Sequence, residues 1–442
     1  MTAEKLLGLI DRKLVIDLAS EMIETPSPTG EEGDMARLLV RAFDEVGCNT
    51  TLQNIYDDRH NAIGRIPGSA NGPVVLMSGH MDTSASGNEP FLAGRGWKNR
   101  AVLDGGRIWG NGICNMKHAF VSYIAGIDAL RRAGIKLKGD LIVAGTAGEI
   151  ELAPVDEFQG QSYDSYGVGL RFMLVHGVAA DFHFLGEPTA QVPSVGTMGS
   201  VWAKITTYGE FSHTAWSDKH LNAIDEMTLL WEGIGEWIPG YREDNIYMGV
   251  WPQVNRGAIR GGRPWRASRT AHSCSAYVDM RFPPTRYPID VQREFTAAVH
   301  EAARLKNVRL PVDVEYYISR GGTSIAEDHL VIQSIVDAHR EVTGKHVPAA
   351  FCPPYCADAI DANRFGVPTC IYGSGGSPSG PTKPHSGAGD ARASEGEFVE
   401  IDDMVNAAAV YMTAAVRLND SDLETVIAQR GTMPSVHLPE AG

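Results

Sequence analysis

The sequence predicts an α/β fold: a central sheet with helices on both faces, plus an inserted two-layer α+β domain. Three observations carry this reading. Short apolar runs of strand length at 73–78, 141–146 and 181–185 bracket a helix-period stretch at 116–133, the strand–helix–strand order of a layered α/β unit. The segment from about 195 then changes character, with alternating strands and two helices. After about 319 the first pattern returns. The domains are accordingly expected at 1–194, 195–318 and 319–442, the first and last forming one unit.

Each element has a local reason. Leu6, Leu7, Ile10, Leu14, Val15 and Leu18 recur at helical spacing, and 35–46 repeats the pattern after Gly30. The runs 73–78 and 141–146 are continuously apolar, as strands buried on both faces are. In the middle segment, 200–208, 276–282 and 312–318 read as strands, and 222–237 and 291–305 as helices. The closing segment offers a helix at 329–343, a strand at 369–372, a Gly/Ser/Pro loop at 373–384 and a helix at 402–418. No internal repeat is present.

Composition narrows the partners. The chain has 442 residues with 39 basic and 54 acidic side chains, a formal net charge of −15. Such a surface repels phosphate backbones, so nucleic acid is not an expected partner. No apolar run approaches the ~20 residues of a spanning helix, and no membrane partner is expected. Residues 1–17 carry charges throughout and lack a signal-peptide core. Six scattered cysteines in a chain this long fit reduced thiols and a cytoplasmic location. Cys352 and Cys356 are spaced like half a zinc site, but no second pair completes it.

The chemistry-bearing residues sit at strand ends, where α/β sheets place ligands. His80 and Asp82 follow the first buried strand, in the pattern of a metal-ligating imidazole with an orienting carboxylate. A glycine-rich loop, Gly110–Lys117, carries Asn115 into a helix. Glu149 ends the second strand and Glu187 the third. One imidazole, two carboxylates and an amide form a donor set for a divalent metal. Farther on lie Arg260, Arg263, Arg266, Arg269 and Arg281. In so acidic a chain this basic cluster is a candidate grip for a substrate carboxylate, through Arg281, Arg266 and Arg269 above all. Trp251 and Trp265 flank it and are candidates for stacking an aromatic substrate.

In this order, Ser-Gly-His80-Met-Asp82, Gly-x-Gly-x-x-Asn115-Met-Lys, Thr-x-Gly148-Glu149 and Gly-Glu187-Pro-Thr resemble the M20 metallopeptidases and their deacylase relatives. The likeness continues through Tyr208–His213, Asn222-Ala-Ile, Asp279-Met-Arg281, Ala357-Asp358 and Gly366-Val-Pro, nearly the whole chain. It implies a catalytic domain, an inserted lid or dimerisation domain, a homodimer or higher homo-oligomer, and usually two metals. It also implies that His213 polarises the substrate carbonyl, an electrophilic role.

The departures from the family pattern shape the functional expectation. The family's bridging Asp falls on Asn115, a neutral amide that bridges two dications poorly. Its general-base Glu falls on Gly148, which cannot take a proton. Its last ligand His falls on Ala393; His385, eight residues earlier, is a candidate to replace it or to contact substrate. The lid's Asn-x-x-Pro falls on 268–271. His118 stands where a small residue is usual and Cys114 precedes Asn115, either of which reshapes the pocket or simply packs. The expected metal set is His80, Asn115, Glu187 and Glu149, holding one divalent transition metal per chain, Mn²⁺ or Zn²⁺; Asp82, Glu149 and His213 are the expected catalytic residues. The expected activity is metal-dependent hydrolysis of a C–N bond in a small carboxylate-bearing substrate. Without the family Glu, an activated bond suits the site, as in the family's 5-nitroanthranilate aminohydrolases, which form 5-nitrosalicylate and ammonia. The alternatives are an N-acyl amino acid deacylase or dipeptidase using Glu149 as base, and an inactive binding protein that kept the fold.

Overall fold

The computed structural model describes residues 3–347, 351–375 and 395–430. They form two compact units: 1–196, 325–351 and 357–442 make the first, and 197–324 with 352–356 the second. The boundaries drawn at 195 and 318 move to 197 and 324 because the strand Val312–Arg320 runs through the second one.

The first unit is built on a six-stranded mixed sheet. Its strands lie in the order Asn49–Tyr56, Arg59–Ile66, Leu141–Thr146, Val75–His80, Phe182–Leu185, Thr369–Ile371. The second strand is antiparallel to the first and third, and the last four are parallel. Helices cover both faces, as the sequence predicts. Gly79 and Gly145 are cross-strand partners, and a Cβ on them would lie 2.4 Å from Met116 Cε and 2.4 Å from Leu39 Cδ1, respectively. The helices Gly33–Glu45 and His118–Arg132 thus lie directly on that face. On the other face Leu76, Ile142 and Ala144 pack against Leu170 and Met173 of helix Val168–Val175 and Ala362 of helix Ala359–Arg364.

The N-terminal helical period is split between Ala3–Leu7 and Arg12–Glu24. The cause is Asp11, whose carboxylate accepts from the backbone N–H of Lys13 at 2.8 Å and Leu14 at 3.3 Å and so opens a new helix.

The second unit is a two-layer α+β domain. Its antiparallel sheet runs Val254–Gly261, Ser273–Phe282, Gly199–Tyr208, Val312–Arg320. Val201, Ala203 and Ile205 alternate inward with Cys274, Ala276 and Val278. They meet Met227, Leu230 and Ile234 of helix Ala223–Asp244 and Val291, Phe295 and Val299 of helix Pro288–Leu305. No helix among the described residues is long and apolar enough to cross a membrane.

Candidate metal centre

The parallel register brings three strand ends together. His80 closes the strand Val75–His80 and pairs with Thr146, Glu149 follows three residues after Thr146, and Glu187 lies two residues beyond Leu185. One ligand atom from each of His80, Glu149 and Glu187 lies within 4.8 Å of the others, and all three residues are buried. The turn Ile113–Lys117 adds Asn115, whose peptide bond to Met116 is cis.

The imidazole geometry leaves room for a cation beside His80. His80 Nδ1 sits 2.9 Å from the main-chain oxygen of Asp82. A carbonyl can only accept, so Nδ1 carries a proton, and once the ring gives up its second proton the Nε2 lone pair is the one turned outward. That lone pair faces Asn115 Oδ1 at 3.2 Å, with Glu149 Oε2 and Glu187 Oε1 each at 3.9 Å. Two acceptors so close repel unless a proton or a cation lies between them. Donors at that separation subtend about 100° at an ion ~2.1 Å from each, an ordinary coordination angle. Glu187 Oε1 is buried and has no hydrogen-bond partner, a position that costs about 1–3 kcal/mol unless something positive satisfies it. One nitrogen, two carboxylates and an amide oxygen therefore fit a divalent transition metal.

Titration follows the same logic. Burial pushes the Glu187 carboxyl up to about 8; the His80 charge opposes this, while Glu149 and Asp358 add to it. Burial acts to lower His80, but the carboxylates of Glu187, Asp82 and Asp358 outweigh it and raise the ring above its usual range. Without a cation the centre holds protons, and loading must expel them. Because Glu187 is protonated below about pH 8, apparent metal affinity is expected to fall about tenfold per pH unit below that value for each proton released. Calorimetric titration of the metal-free protein at pH 6.5 to 8.5, in buffers of different ionisation enthalpy, measures both affinity and proton release. A pH-independent affinity would place the cation elsewhere.

Asp82 acts otherwise than its spacing suggests. Its carbonyl, rather than its carboxylate, orients His80; Oδ1 stays 3.6 Å from Nδ1. The carboxylate accepts from the backbone N–H of Glu149 at 3.1 Å and Ile150 at 2.9 Å, and from Thr29 Oγ1 at 3.0 Å. It thereby fixes the turn that presents Glu149.

Two further residues bear on this centre: Asp358, which the sequence offered only within the Ala357-Asp358 stretch of the family likeness and without a role, and Arg59, which it did not single out. Asp358 is buried, takes a hydrogen bond from Thr146 Oγ1 at 3.3 Å, and acts electrostatically on both His80 and Glu187. Arg59 bears on Gly148. A Cβ at Gly148, where φ is +65°, would lie 2.3 Å from Arg59 Nη2. The guanidinium donates to Glu32 through Nε at 2.9 Å and Nη2 at 2.8 Å. Through Nη1 it donates to the carbonyls of Gln161 and Asp164. The space beside Glu149 is thus filled by a buried ion pair. His118 is fully buried; burial first, and then the charge of His80, hold its ring neutral with a pKa of about 3. Cys114 is buried as well, and none of the six cysteines forms a disulfide.

The remaining predicted residues belong to the second unit or lie outside the described residues. His213 is exposed and caps the short helix Thr214–Lys219, Nδ1 accepting from the Ala215 N–H at 3.1 Å. Arg281 Nε and Nη2 donate to Asp279 Oδ2 at 2.9 and 2.7 Å, so its guanidinium is already engaged by a carboxylate. Arg266 is exposed and Arg269 half-buried, and Arg263 and Arg269 lie over the Phe211 ring at 5.3 and 5.9 Å. Trp265 is 83% exposed, a site for contact rather than core. His385 and Ala393 lie outside the described residues.

The decisive comparison is with a family profile. Residues 76–417, more than three-quarters of the chain, match Peptidase family M20/M25/M40. The chain belongs to that family. Among curated relatives, the acetylornithine deacetylase of Shigella sonnei (strain Ss046) is 25% identical over 368 residues, spanning 78% of this chain and 88% of that protein. Human carnosine dipeptidase 1 superposes with a TM-score of 0.72 at 12% identity, covering 95% of this chain and 99% of its own. A dinuclear metal-binding M20 peptidase of Bacillus subtilis superposes with a TM-score of 0.59 at 13% identity, covering 93% and 99%. These structures share the fold. Family membership and the buried donor cluster together make this M20 chain a metal-dependent C–N hydrolase. The non-catalytic alternative is left without support.

Proposed function

We propose that this M20 protein hydrolyses the C–N bond of a small, carboxylate-bearing, electron-poor aromatic amine with one divalent cation per chain, Mn²⁺ or Zn²⁺. The best specific candidate is 5-nitroanthranilate, converted to 5-nitrosalicylate and ammonia. His80, Asn115, Glu187 and Glu149 would hold the cation. When bound, it supplies Lewis acidity and a positive charge where negative charge develops. Arg266, Arg269, Arg281, His213 and His385 are the proposed contacts for substrate, with the chain working as a cytoplasmic homodimer or higher homo-oligomer.

The observation that carries this reading is the Arg59 guanidinium in the space beside Gly148. No carboxylate can stand there to shuttle protons alongside Glu149. An amide needs its departing amine protonated as the bond breaks. An electron-poor ring needs less: water adds at the amine-bearing carbon, the ring and its withdrawing group take up the electron pair, and the C–N bond then breaks. Glu149 accepts the proton of the attacking water and returns it to the departing amine, giving ammonia; atoms and charge balance without another reactant.

A second reading is supported by Glu149 itself, buried and 3.9 Å from His80, and by the likeness to a deacetylase. In it Glu149 serves as the sole base of an N-acyl amino acid deacylase or dipeptidase. One experiment separates the two: elemental analysis of protein reconstituted with Mn²⁺ or Zn²⁺, alongside ammonia release from 5-nitroanthranilate and acetate release from an N-acetyl amino acid. About one metal per chain, with ammonia from the aromatic amine alone, is the expected result. Two metals with acetate released would replace the proposal by the second reading.

A further inference from the structure

Asn115 reaches the metal centre from a turn held by a residue from the far end of the chain. The Glu397 side chain is buried, and its Oε2 accepts from the backbone N–H of Cys114 at 2.9 Å and of Asn115 at 3.1 Å. The Gly112 N–H is also directed at this carboxylate. Glu397 is itself clamped, because its carbonyl accepts from the Gly110 N–H at 3.2 Å and the next residue, Phe398, pairs with Trp109 in a small sheet. At the end of the turn Lys117 is fully buried, its Nζ donating to the carbonyls of Met22 and Thr25 at 2.9 Å each. The turn is therefore gripped by a carboxylate on its N–H groups and an anchored lysine amine two residues beyond Asn115. Convergent backbone N–H groups on one anion make a rigid, directional contact.

We propose that Glu397 is a positioning residue for Asn115: by gathering the N–H groups of the turn, it aims the Asn115 amide oxygen at the cation held with His80. Its carboxylate does not touch the cation. Its effect passes through the backbone, so what matters is an acceptor at the right reach rather than a negative charge near the centre. The inference rests on the cation assigned to His80, Asn115 and the two glutamates, but not on the substrate.

Two substitutions distinguish reach from charge. E397Q keeps the length and one oxygen able to accept from both N–H groups. E397D keeps the charge but withdraws it by one methylene. Co²⁺ affinity of the metal-free full chain and the visible spectrum of the Co²⁺ form are read for each. The expected result is about a tenfold loss of affinity and an altered spectrum for E397D, with E397Q within about threefold of the parent. In an N115A background, E397D should cost no further affinity, because the route through Asn115 is gone. Parent-like E397D with weakened E397Q would overturn the proposal in favour of a simple charge effect. So would an undiminished E397D loss in the N115A background. Because Co²⁺ binding needs no substrate, these outcomes are independent of whether an aromatic amine or an acyl amino acid is turned over.

Discussion

Replacing His80 with alanine is expected to remove metal binding and turnover together. His80 supplies the one nitrogen in the donor cluster among the described residues, and its tautomer is fixed by the Asp82 carbonyl. Borderline metals such as Zn²⁺ draw much of their affinity from such a nitrogen. What remains in H80A is two buried carboxylates and an amide, and the Glu187 carboxyl, already raised to about 8, loses the charge that opposed the shift. It stays protonated at neutral pH, so a second ligand is lost with the first. A loss of at least about 10³-fold in affinity, ~4 kcal/mol, is expected. The check is elemental analysis after reconstitution, paired with thermal unfolding with and without metal. The parent should gain stability with metal concentration because only the folded chain binds it, and H80A should show no gain. Full metal stoichiometry in H80A would remove His80 from the ligand set.

How much of this was readable before folding depends on what each residue's role requires. His80, Glu149 and Glu187 were legible because each follows a continuous apolar run, and parallel strands deliver their ends to one edge. The inner strands were legible for the same reason. The hairpin Asn49–Tyr56 and Arg59–Ile66 was not, since its first strand, with Thr50, Thr51, Gln53 and Asn54, is largely exposed and polar. The strand Val254–Gly261 was missed because it is an edge with almost every residue exposed. Without a buried face there is no alternation to read. The supporting residues of the centre were hidden by distance along the chain. Arg59 acts on Gly148 across 89 positions and Glu397 on Asn115 across 282. Only the folded backbone makes them neighbours. Gly148 shows the limit best. Its lack of a side chain was plain in the sequence, but the guanidinium that fills the space could be found only in the structure.

Asn115 is where one substitution has the largest expected gain, and N115D is the sharpest test of how many ions the centre holds. The amide oxygen lies 3.2 Å from His80 Nε2, so an aspartate there would add a full negative charge at the cation position. A unit charge pair at ~4 Å is worth about 4 kcal/mol at an effective dielectric constant near 20. Part of this is offset by repulsion, because the new carboxylate joins Glu149, Glu187 and Asp358, all buried. The metal-free N115D chain should therefore unfold at a lower temperature than the parent, and the loaded chain at a higher one. The net expectation is metal binding tighter by about 10- to 100-fold, or ~1.4–2.7 kcal/mol. Elemental analysis adds the decisive count. With the charge of a bridging carboxylate in place, a second dication becomes tolerable, with Glu149 turned from the first ion to the second. If N115D takes up two metals and releases acetate from an N-acetyl amino acid, then a single amide is what keeps this centre to one ion. If affinity and stoichiometry both stay at the parent's values, Asn115 does not touch the cation, and the donor set reduces to His80, Glu149 and Glu187.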